Sequence, residues 1–163
     1  MAAKDNLRTG GEILVEGLRI NGVDRVFCVP GESYLAALDA FVDVSEIQLV
    51  ICRHEGGAAM MADTHAQLTG RPGVCVVTRG PGASHASVAG KVAYQDSRPM
   101  ILQVGQVERR MLGREACQEI DVAAMFGWTA KWAGQIDATA ELPEALARTF
   151  HLAVSGRPGP VVL

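Results

Sequence analysis

The sequence predicts a single α/β domain built on a parallel β-sheet, with helices packed on both of its faces. Short apolar runs of strand length alternate along the chain with longer segments in which apolar residues recur at helical spacing. Such alternation is typical of parallel sheets, because the connection between two parallel strands usually contains a helix. With 163 residues, 48% of them hydrophobic, the chain is long enough to form one compact core over residues 1–163.

The first half of the chain begins with an amphipathic pattern that predicts a helix over residues 10–21, ending near Gly22. A short buried strand is expected at residues 26–29, where Pro30 and Gly31 stop it. A second helix follows at residues 35–44, with Leu35 and Val42 among its inward-facing side chains. The next strand is expected at residues 48–52.

The second half of the chain continues the same alternation. The pattern predicts a helix at 54–69, a turn at 70–73, a strand at 74–78, a helix from about 82 to 94 and a strand at 100–104. Residues 128–132 are interpreted as a strand, residues 142–154 as a helix and residues 161–163 as the start of a strand. The charged loop at 106–119 is the segment that we expect to be most mobile.

Charge and cysteine content argue against several classes of function. A net charge of −3 gives no indication of a surface for nucleic acid or for an anionic membrane. The four cysteines show no C-x-x-C spacing, and most lie in apolar runs, which favours reduced core thiols over disulfides or a zinc site. Residues 1–5 contain no signal-peptide core and no apolar run approaches transmembrane length, so we expect a cytoplasmic protein.

Glu55 carries the strongest functional signal in the chain. It lies where the predicted strand at 48–52 passes into a helix rich in small residues, so its backbone is held while its carboxylate can face a ligand. An apolar environment raises the pKa of a carboxyl group, whereas a helix N-terminus lowers it. A group balanced between these effects can share a proton with a bound base. The alternative is that Glu55 only interacts favourably with the helix dipole.

Further candidate residues follow the predicted strands directly. They are Pro30 and Gly31 after the first strand, Glu55 after the second, and Thr78 with Pro81 and Gly82 after the third. Ligands of open α/β sheets bind at the carboxyl ends of the strands. We therefore expect these residues to share one edge of the sheet and to form a site there.

Several familiar catalytic motifs are incomplete in this sequence. His54-Glu55 lacks the second histidine of an H-E-x-x-H zinc site, and Ser84 lacks the last glycine of G-x-S-x-G. The glycines around Pro81 do not complete a dinucleotide fingerprint, and no G-x-x-x-x-G-K-[ST] phosphate loop occurs. His65 and His151 are interpreted as structural or surface histidines. The other conspicuous side chains are interpreted as packing in the core or at an interface: Met60, Met61, Trp128 and Trp132.

A series of short segments gives a more specific signal. In chain order they are V-F-C-V-P-G at 26–31, R-H-E-G-G-A-A-M-M-A-D at 53–63, T-R-G-P-G-A-S-H at 78–85, Y-Q-D-S-R-P-M-I at 94–101, G-Q-V at 105–107, Q-E-I-D at 118–121 and G-R-P-G-P-V at 156–161. In this order and spacing, the series resembles the N-terminal, pyrimidine-binding domain of thiamine diphosphate-dependent enzymes, and most closely the acetolactate synthase-like group. The resemblance extends from about Thr9 to Leu163 and implies flavodoxin- or Rossmann-like layers.

The resemblance implies a catalytic role for Glu55. In these enzymes the aminopyrimidine ring of the cofactor lies in this domain, and a glutamate that matches Glu55 bonds a ring nitrogen and activates the cofactor. The family uses thiamine diphosphate to decarboxylate or join 2-oxo acids. Thiamine diphosphate is therefore the implied cofactor, and a small 2-oxo acid is the implied substrate.

The resemblance also assigns cofactor-facing positions to other residues. Those that match are Pro30 and Gly31 in a loop near the active site, Thr78, Pro81, Gly82 and His85 against the pyrimidine, and Gln118 facing the reaction centre. The family often has Asn in place of His85, Phe in place of Cys117, and Gly-Gly or Gly-Ala in place of Glu32-Ser33. These departures leave the substrate open. Strand exits also favour Gly and Pro simply as turn residues.

Family members bind the diphosphate and Mg²⁺ through a separate C-terminal domain, with a Gly-Asp-Gly motif and an Asn-Asn pair that this chain lacks. We therefore expect no metal site here, and Mg²⁺ only through that domain. FAD, which belongs to a middle domain, is left open. The chain ends within a predicted strand, so we interpret it as a domain of a longer enzyme or as a subunit that needs a partner. A homodimer or larger assembly is expected, because the small residues at 56–62 would let two helices approach closely.

Three functions remain open at this point. The chain is the pyrimidine-binding part of an acetolactate synthase-like enzyme, the alpha subunit of a split sulfopyruvate or phosphonopyruvate decarboxylase, or a non-catalytic α/β binding module. Glu55 favours the first two, because a scaffold does not need a carboxylate at that junction. By itself the chain is expected to be inactive and to bind the cofactor weakly.

Overall fold

A six-stranded sheet forms the centre of the molecule, and all of its strand pairs are parallel. The structure is a computed structural model that describes residues 7–163, so the prediction for residues 1–5 lies outside the described residues. The strands are β1 (Arg25–Cys28), β2 (Gln48–Ile51), β3 (Gly73–Val77), β4 (Met100–Val104), β5 (Trp132–Ala133) and β6 (Pro160–Val162), in the spatial order β2-β1-β3-β4-β6-β5. The parallel α/β fold predicted from the sequence is confirmed.

Helices precede or connect these strands. They are α1 (Gly10–Ile20), α2 (Leu35–Val42), α3 (Glu55–Thr69), α4 (Gly80–Gln95), α5 (Val122–Phe126) and α6 (Leu142–Val154). Helix α1 begins with a capping box, in which the Thr9 hydroxyl accepts from the N–H of Glu12 at 3.2 Å and the Glu12 carboxylate accepts from the N–H of Thr9. No helix within residues 7–163 is long and apolar enough to span a membrane.

The two faces of the sheet carry separate apolar clusters, because successive side chains of a strand point in opposite directions. Along β3, Val74 and Val76 pack with α1, α2 and α6, whereas Cys75 and Val77 pack with α3, α4 and α5. Strand β3 is buried along its whole length. A strand that is buried on both faces reads as a continuous apolar run, which is the pattern from which it was predicted.

Small residues in α3 pack inside the chain. Gly56, Ala58, Ala59 and Ala62 are all buried, and α3 lies against α4 and β3. A Cβ atom added to Gly73 of β3 would lie 1.9 Å from the carbonyl oxygen of Ala62, so helix and strand touch through their backbones. Within the chain these small residues therefore pack α3 against α4 and β3, and the contact between two chains stays a prediction.

The prediction for residues 128–132 is wrong for most of the segment. Only Trp132 belongs to a strand, the two-residue β5, and the unpredicted helix α5 lies just before the segment. Trp128 is 71% exposed, with the Lys91 ammonium 4.4 Å from its ring centre. Five residues are too few for α5 to show a helical period, and the available signal was its N-cap, where Asp121 accepts from the N–H of Ala124 at 2.9 Å.

Some apolar residues that were assigned to the core are exposed. Leu35 is 62% exposed and Val42 is 82% exposed, because α2 buries its Ala37, Ala40 and Phe41 side instead. Met60, Met61 and Trp128 also lie outside the core, and a role for them at an interface stays a prediction.

The cysteines agree with the prediction of reduced thiols. All four are free; Cys28 and Cys75 are buried, Cys52 is partly buried and Cys117 is exposed. Burial raises the pKa of the Cys28 thiol to about 11, so it is protonated at neutral pH. The prediction of core thiols is thus confirmed for Cys28 and Cys75.

The sheet order places a crevice beside β1. The chain passes from β1 to β2 on one side and then returns to place β3 on the other side of β1. In open parallel sheets, ligands bind outside the carboxyl ends of the strands at such a reversal. Pro30, Gly31, Glu55 and Thr78 all follow these three strands, so they lie at this edge as predicted.

Candidate functional site

Glu55 is the first residue of α3, a few residues after the end of β2. His54 caps the helix, since its Nδ1 accepts from the N–H of Gly56 at 3.1 Å. This cap fixes the backbone on both sides of Glu55. The Glu55 side chain is 15% exposed, so its carboxylate is sheltered but can still be reached.

Two histidines surround the Glu55 carboxylate. His85, on the second turn of α4, lies with Nδ1 2.9 Å from Oε2 of Glu55. The rings of His54 and His85 stack with their centres 4.9 Å apart and their planes 24° apart. The contact between α3 and α4 therefore brings a carboxylate and an imidazole together from residues thirty positions apart in the chain.

The pKa of Glu55 reflects opposing effects. Burial raises it, but the hydrogen bond from His85, the N–H of Glu55 itself and the nearby imidazoles lower it, and the net pKa lies below the ordinary value of 4.5. The sequence predicted an opposition between burial and the helix N-terminus, and the structure adds the histidine. Glu55 is therefore ionised at neutral pH, and Nδ1 of His85 donates to it.

Replacing His85 by alanine is expected to raise the pKa of Glu55, because burial then acts without the hydrogen bond that opposes it. The pKa of Glu55 is lower in the folded chain than the ordinary value, so ionisation stabilises the fold above about pH 4.5. That stabilisation is lost as the pH falls through the folded pKa. His85→Ala should therefore reduce the part of acid stability that depends on Glu55.

Titration of the Glu55 carboxyl carbon by NMR measures this shift directly. The matched control is His151→Ala, which removes an exposed histidine from α6 and should leave the pKa of Glu55 unchanged. An unchanged Glu55 pKa in His85→Ala would show that the His85 contact does not exist in solution.

A second group of residues at the same edge of the sheet surrounds Thr78. Its hydroxyl lies 2.9 Å from the hydroxyl of Ser33, and a Cβ atom added to Gly31 would lie 2.6 Å from the Cβ of Thr78. Gly82 is also close, since an added Cβ there would lie 3.2 Å from Thr78 and from Val77. The loop after β1 and the start of α4 thus meet at a distance that favours glycine at positions 31 and 82.

Helix α4 begins earlier than the sequence predicted. It starts at Gly80, with Pro81 in its first turn, so Pro81 lies in the helix together with Gly82 and His85, which were predicted there. Pro30 and Pro81 are exposed at the sheet edge. The N-termini of α3 and α4 therefore face the same edge, where their unpaired N–H groups favour electron-rich ligand atoms.

Gln118 lies at the same edge, where its backbone is bonded to the start of α4. Its carbonyl oxygen accepts from the N–H of Gly80 at 2.9 Å, while its side chain is exposed. Gln118 has a φ of 66°, a conformation that is unfavourable for a residue with a side chain. Such strain is held in place by surrounding contacts and is common in functional sites.

Arg79 ties these loops together, and the sequence reasoning gave it no role. Its guanidinium pairs with Glu32 in the loop after β1 and donates to the carbonyl oxygen of Cys117 at 3.4 Å. The side chain is 13% exposed. Ser33, His54 and Arg79 all lie within two residues of the predicted site in the sequence, and that proximity was the available signal.

The edge thus contains two connected groups of residues: the Glu55–His85 pair, and the Thr78 cluster with Gly31, Gly82 and the Gln118 backbone. It offers a partly buried carboxylate, imidazoles and two helix N-termini, which suit hydrogen bonding to a nitrogen heterocycle. Within residues 7–163, no group of three or more His, Cys, Asp or Glu side chains is placed to hold a metal ion.

Comparison with known protein families gives one family match. The model described as thiamine pyrophosphate enzyme, N-terminal TPP binding domain, matches residues 8–125. The matched region contains every residue of the edge described above, from Pro30 to Gln118.

Individual relatives cover nearly the whole chain. An acetolactate synthase of Arthrospira platensis is 41% identical over 95% of this chain and 27% of the relative's length. The large subunit of acetolactate synthase isozyme 3 of Escherichia coli is also 41% identical, over 95% of this chain and 27% of that subunit. The mitochondrial catalytic subunit of acetolactate synthase from Saccharomyces cerevisiae is 38% identical, over 95% of this chain and 23% of that subunit. The chain therefore spans about a quarter of the length of these relatives.

Proposed function

Because the chain belongs to the thiamine pyrophosphate enzymes as their N-terminal, TPP-binding domain, we propose that it acts within an acetolactate synthase-like enzyme that decarboxylates and joins 2-oxo acids. The placement of Glu55 carries this proposal. A partly buried carboxylate stands at the start of α3, beside the reversal in strand order and opposite a histidine.

The residues of the edge suit the aminopyrimidine half of the cofactor. Gly31 and Gly82 let the loop after β1 and the start of α4 pack closely against Thr78, and Glu55 supplies a carboxylate for a basic ring nitrogen. Pro30, Pro81, His85 and Gln118 complete the proposed contact set. When bound, thiamine diphosphate supplies the electron sink that decarboxylation requires.

In this proposal, the Glu55 carboxyl group shares a proton with a nitrogen of the cofactor ring. In the chain as described, His85 keeps the Glu55 carboxylate ionised. A heterocycle that covers the site would exclude water, which strengthens the effect of burial and raises the carboxyl pKa. Glu55 could then share a proton with the ring nitrogen, and His85 would hold the carboxylate in the correct orientation. This is general acid–base chemistry by a positioned carboxyl group.

We also propose that the enzyme contains domains beyond this chain. A middle domain and a diphosphate-binding domain, in the same protein or in a partner subunit, would hold Mg²⁺ and the diphosphate. The exposed residues of α3, Met60 and Met61, and Val88 of α4 offer an apolar surface for a homodimer or a larger assembly. A need for FAD would depend on the middle domain. We propose a cytoplasmic location because all four cysteines are free thiols, which suits a reducing compartment. Some relatives are named as mitochondrial.

The test uses the complete protein with thiamine diphosphate and Mg²⁺. Pyruvate should be consumed, and 2-acetolactate and carbon dioxide should be formed in equal amounts, because two pyruvate molecules give one of each product. Pyruvate turnover without acetolactate would indicate a decarboxylase without carboligation. Absence of turnover on pyruvate, 2-oxobutyrate and other small 2-oxo acids, with the cofactor bound, would contradict the proposal.

A second candidate is the alpha subunit of a split decarboxylase for sulfopyruvate or phosphonopyruvate. This candidate remains because the family match identifies the TPP-binding domain but not the rest of the enzyme. The native gene downstream of the Leu163 codon discriminates between the two. An open frame that reaches Gly-Asp-Gly and Asn-Asn motifs supports one enzyme chain, whereas a stop codon followed by a separate frame with those motifs supports two subunits.

A further inference from the structure

The Glu55 carboxylate is ionised in this chain, whereas the proposed function requires it to share a proton with a ring nitrogen. A proton must therefore reach the carboxylate from solvent and leave it again. The Glu55 side chain is only 15% exposed, and a bound ring would cover part of what remains open. A group that contacts both Glu55 and solvent is then needed to transfer the proton.

Two titratable side chains that interact with the charge of Glu55 are closed to solvent. Tyr34 is buried, and its hydroxyl donates to the carbonyl oxygen of Val29. Cys75 is fully buried in β3. Burial raises the pKa of both groups, so each keeps its proton at neutral pH. Neither group can carry a proton from solvent to Glu55.

His54 is exposed, but its imidazole caps α3. Its Nδ1 accepts from the N–H of Gly56 at 3.1 Å, so this nitrogen cannot bind a proton while the cap is intact. The ring stacks on that of His85 with the two centres 4.9 Å apart. His54 therefore holds the His85 imidazole in place and puts an uncharged ring beside it.

His85 differs from these groups because it contacts the carboxylate and is open to solvent. Its Nδ1 lies 2.9 Å from Oε2 of Glu55, and 54% of its side chain is exposed. A neutral imidazole carries a proton on one nitrogen and a lone pair on the other. Because Nδ1 donates to the ionised carboxylate, the lone pair is on Nε2, the nitrogen that is not bonded to Glu55.

We propose that His85 relays protons between solvent and Glu55. In the inward step, Nε2 of His85 takes a proton from hydronium or a buffer acid while the Nδ1 proton passes to Oε2 of Glu55. The products are a neutral imidazole, a carboxylic acid and water or the buffer base. The outward step reverses both transfers, so a single proton enters or leaves and the ring stays uncharged. This inference rests on the proposed function, because a bound base is what requires Glu55 to change its protonation.

The first test examines the 163-residue chain without cofactor. Long-range ¹H–¹⁵N spectra of the imidazoles show which nitrogen carries the proton. In the neutral form of each ring, we expect His85 to have its proton on Nδ1 and a bare Nε2, and His54 to have the reverse. A neutral His85 with its proton on Nε2 would overturn the relay, because Nδ1 would have no proton to pass to Glu55.

The second test measures pyruvate turnover by the complete protein with His85→Asn. Asparagine still donates to Glu55 through its side-chain amide but cannot take up a proton. Turnover should fall by about tenfold or more, whereas KM for pyruvate and the affinity for thiamine diphosphate should stay close to those of the unchanged protein. Imidazole added at constant pH should restore most of the lost turnover in the variant and have no effect on the unchanged protein.

Two further variants separate the relay from other effects. His85→Ala removes the hydrogen bond to Glu55 as well as the relay, so imidazole should restore less of its turnover than in His85→Asn. His151→Ala removes an exposed histidine of α6 and is the matched control. Its turnover should equal that of the unchanged protein, with no response to imidazole.

Two kinetic outcomes would overturn the relay. One is a turnover of His85→Asn equal to that of the unchanged protein. The other is a loss of turnover that imidazole does not restore, which would make His85 a positioning residue only. Failure of the proposed function gives a different result, because the unchanged protein would then consume no 2-oxo acid. In that case the proton position on His85 still decides whether the path to Glu55 exists.

Discussion

Replacing Glu55 by glutamine in the complete enzyme is expected to lower turnover by about 100-fold to 10,000-fold, the usual contribution of a positioned acid or base. Glutamine keeps the size and a hydrogen-bonding oxygen of the side chain but cannot exchange the proton. The free energy of unfolding should change by less than about 1 kcal/mol, because the Glu55–His85 contact is a single pair near the surface. Initial rates with saturating thiamine diphosphate, together with thermal melts, measure both effects.

Two further variants make the Glu55 result specific. Glu55→Asp keeps the charge but shortens the side chain, so an intermediate rate would separate the need for charge from the need for reach. Glu46→Gln is the matched control, since Glu46 is an exposed carboxylate that precedes β2 at the opposite edge of the sheet. Full turnover in Glu55→Gln would contradict the assigned role.

Replacing Gly73 by alanine is expected to destabilise the chain by about 3 kcal/mol or more, which is at the upper end of overpacking effects. The added Cβ would lie 1.9 Å from the carbonyl oxygen of Ala62 and 2.7 Å from its carbonyl carbon, both in the backbone of α3. A backbone cannot move aside as a flexible side chain can, so the whole helix must shift away from β3. The melting temperature should fall by roughly 6–12 °C.

Denaturant unfolding followed by circular dichroism measures the loss. Gly90→Ala is the matched control, because Gly90 lies within α4 and an added Cβ there would meet no atom within 4 Å. This control should be neutral or more stable by up to about 1 kcal/mol, since alanine is the better helix former. A Gly73→Ala loss below about 0.5 kcal/mol would show that α3 and β3 are not in backbone contact.

Local patterns in the sequence determined most of the sheet. The strands β1 to β4 agree with the predicted strands to within one residue at each end, because each is a short, mainly apolar segment between clear turn residues. The region between β4 and α6 was predicted poorly. Helix α5 is too short to show a helical period of apolar residues. The aromatic Trp128 lies at the surface against Lys91, and no sequence pattern predicts that contact.

The candidate site was predicted in its members but not in its contacts. The strand ends located Gly31, Glu55 and Thr78 at one edge, because all parallel strands end on the same side. The pairing of Glu55 with His85 depends on how α3 packs against α4, and the bridge from Arg79 to Glu32 depends on the path of two loops. Such contacts join residues far apart in the chain, so periodicity and propensity contain no information about them.

The sequence by itself thus determined the fold class, the order of most elements, the family resemblance and the residue types at the strand ends. These features can be predicted from short segments, because the spacing of apolar residues and the presence of turn residues are properties of neighbouring positions. Only the tertiary structure decided the strand order, the histidine that lowers the pKa of Glu55 and the use of the small α3 residues within one chain. Each of these depends on distances between segments that are remote in sequence, and such distances are fixed only when the elements pack.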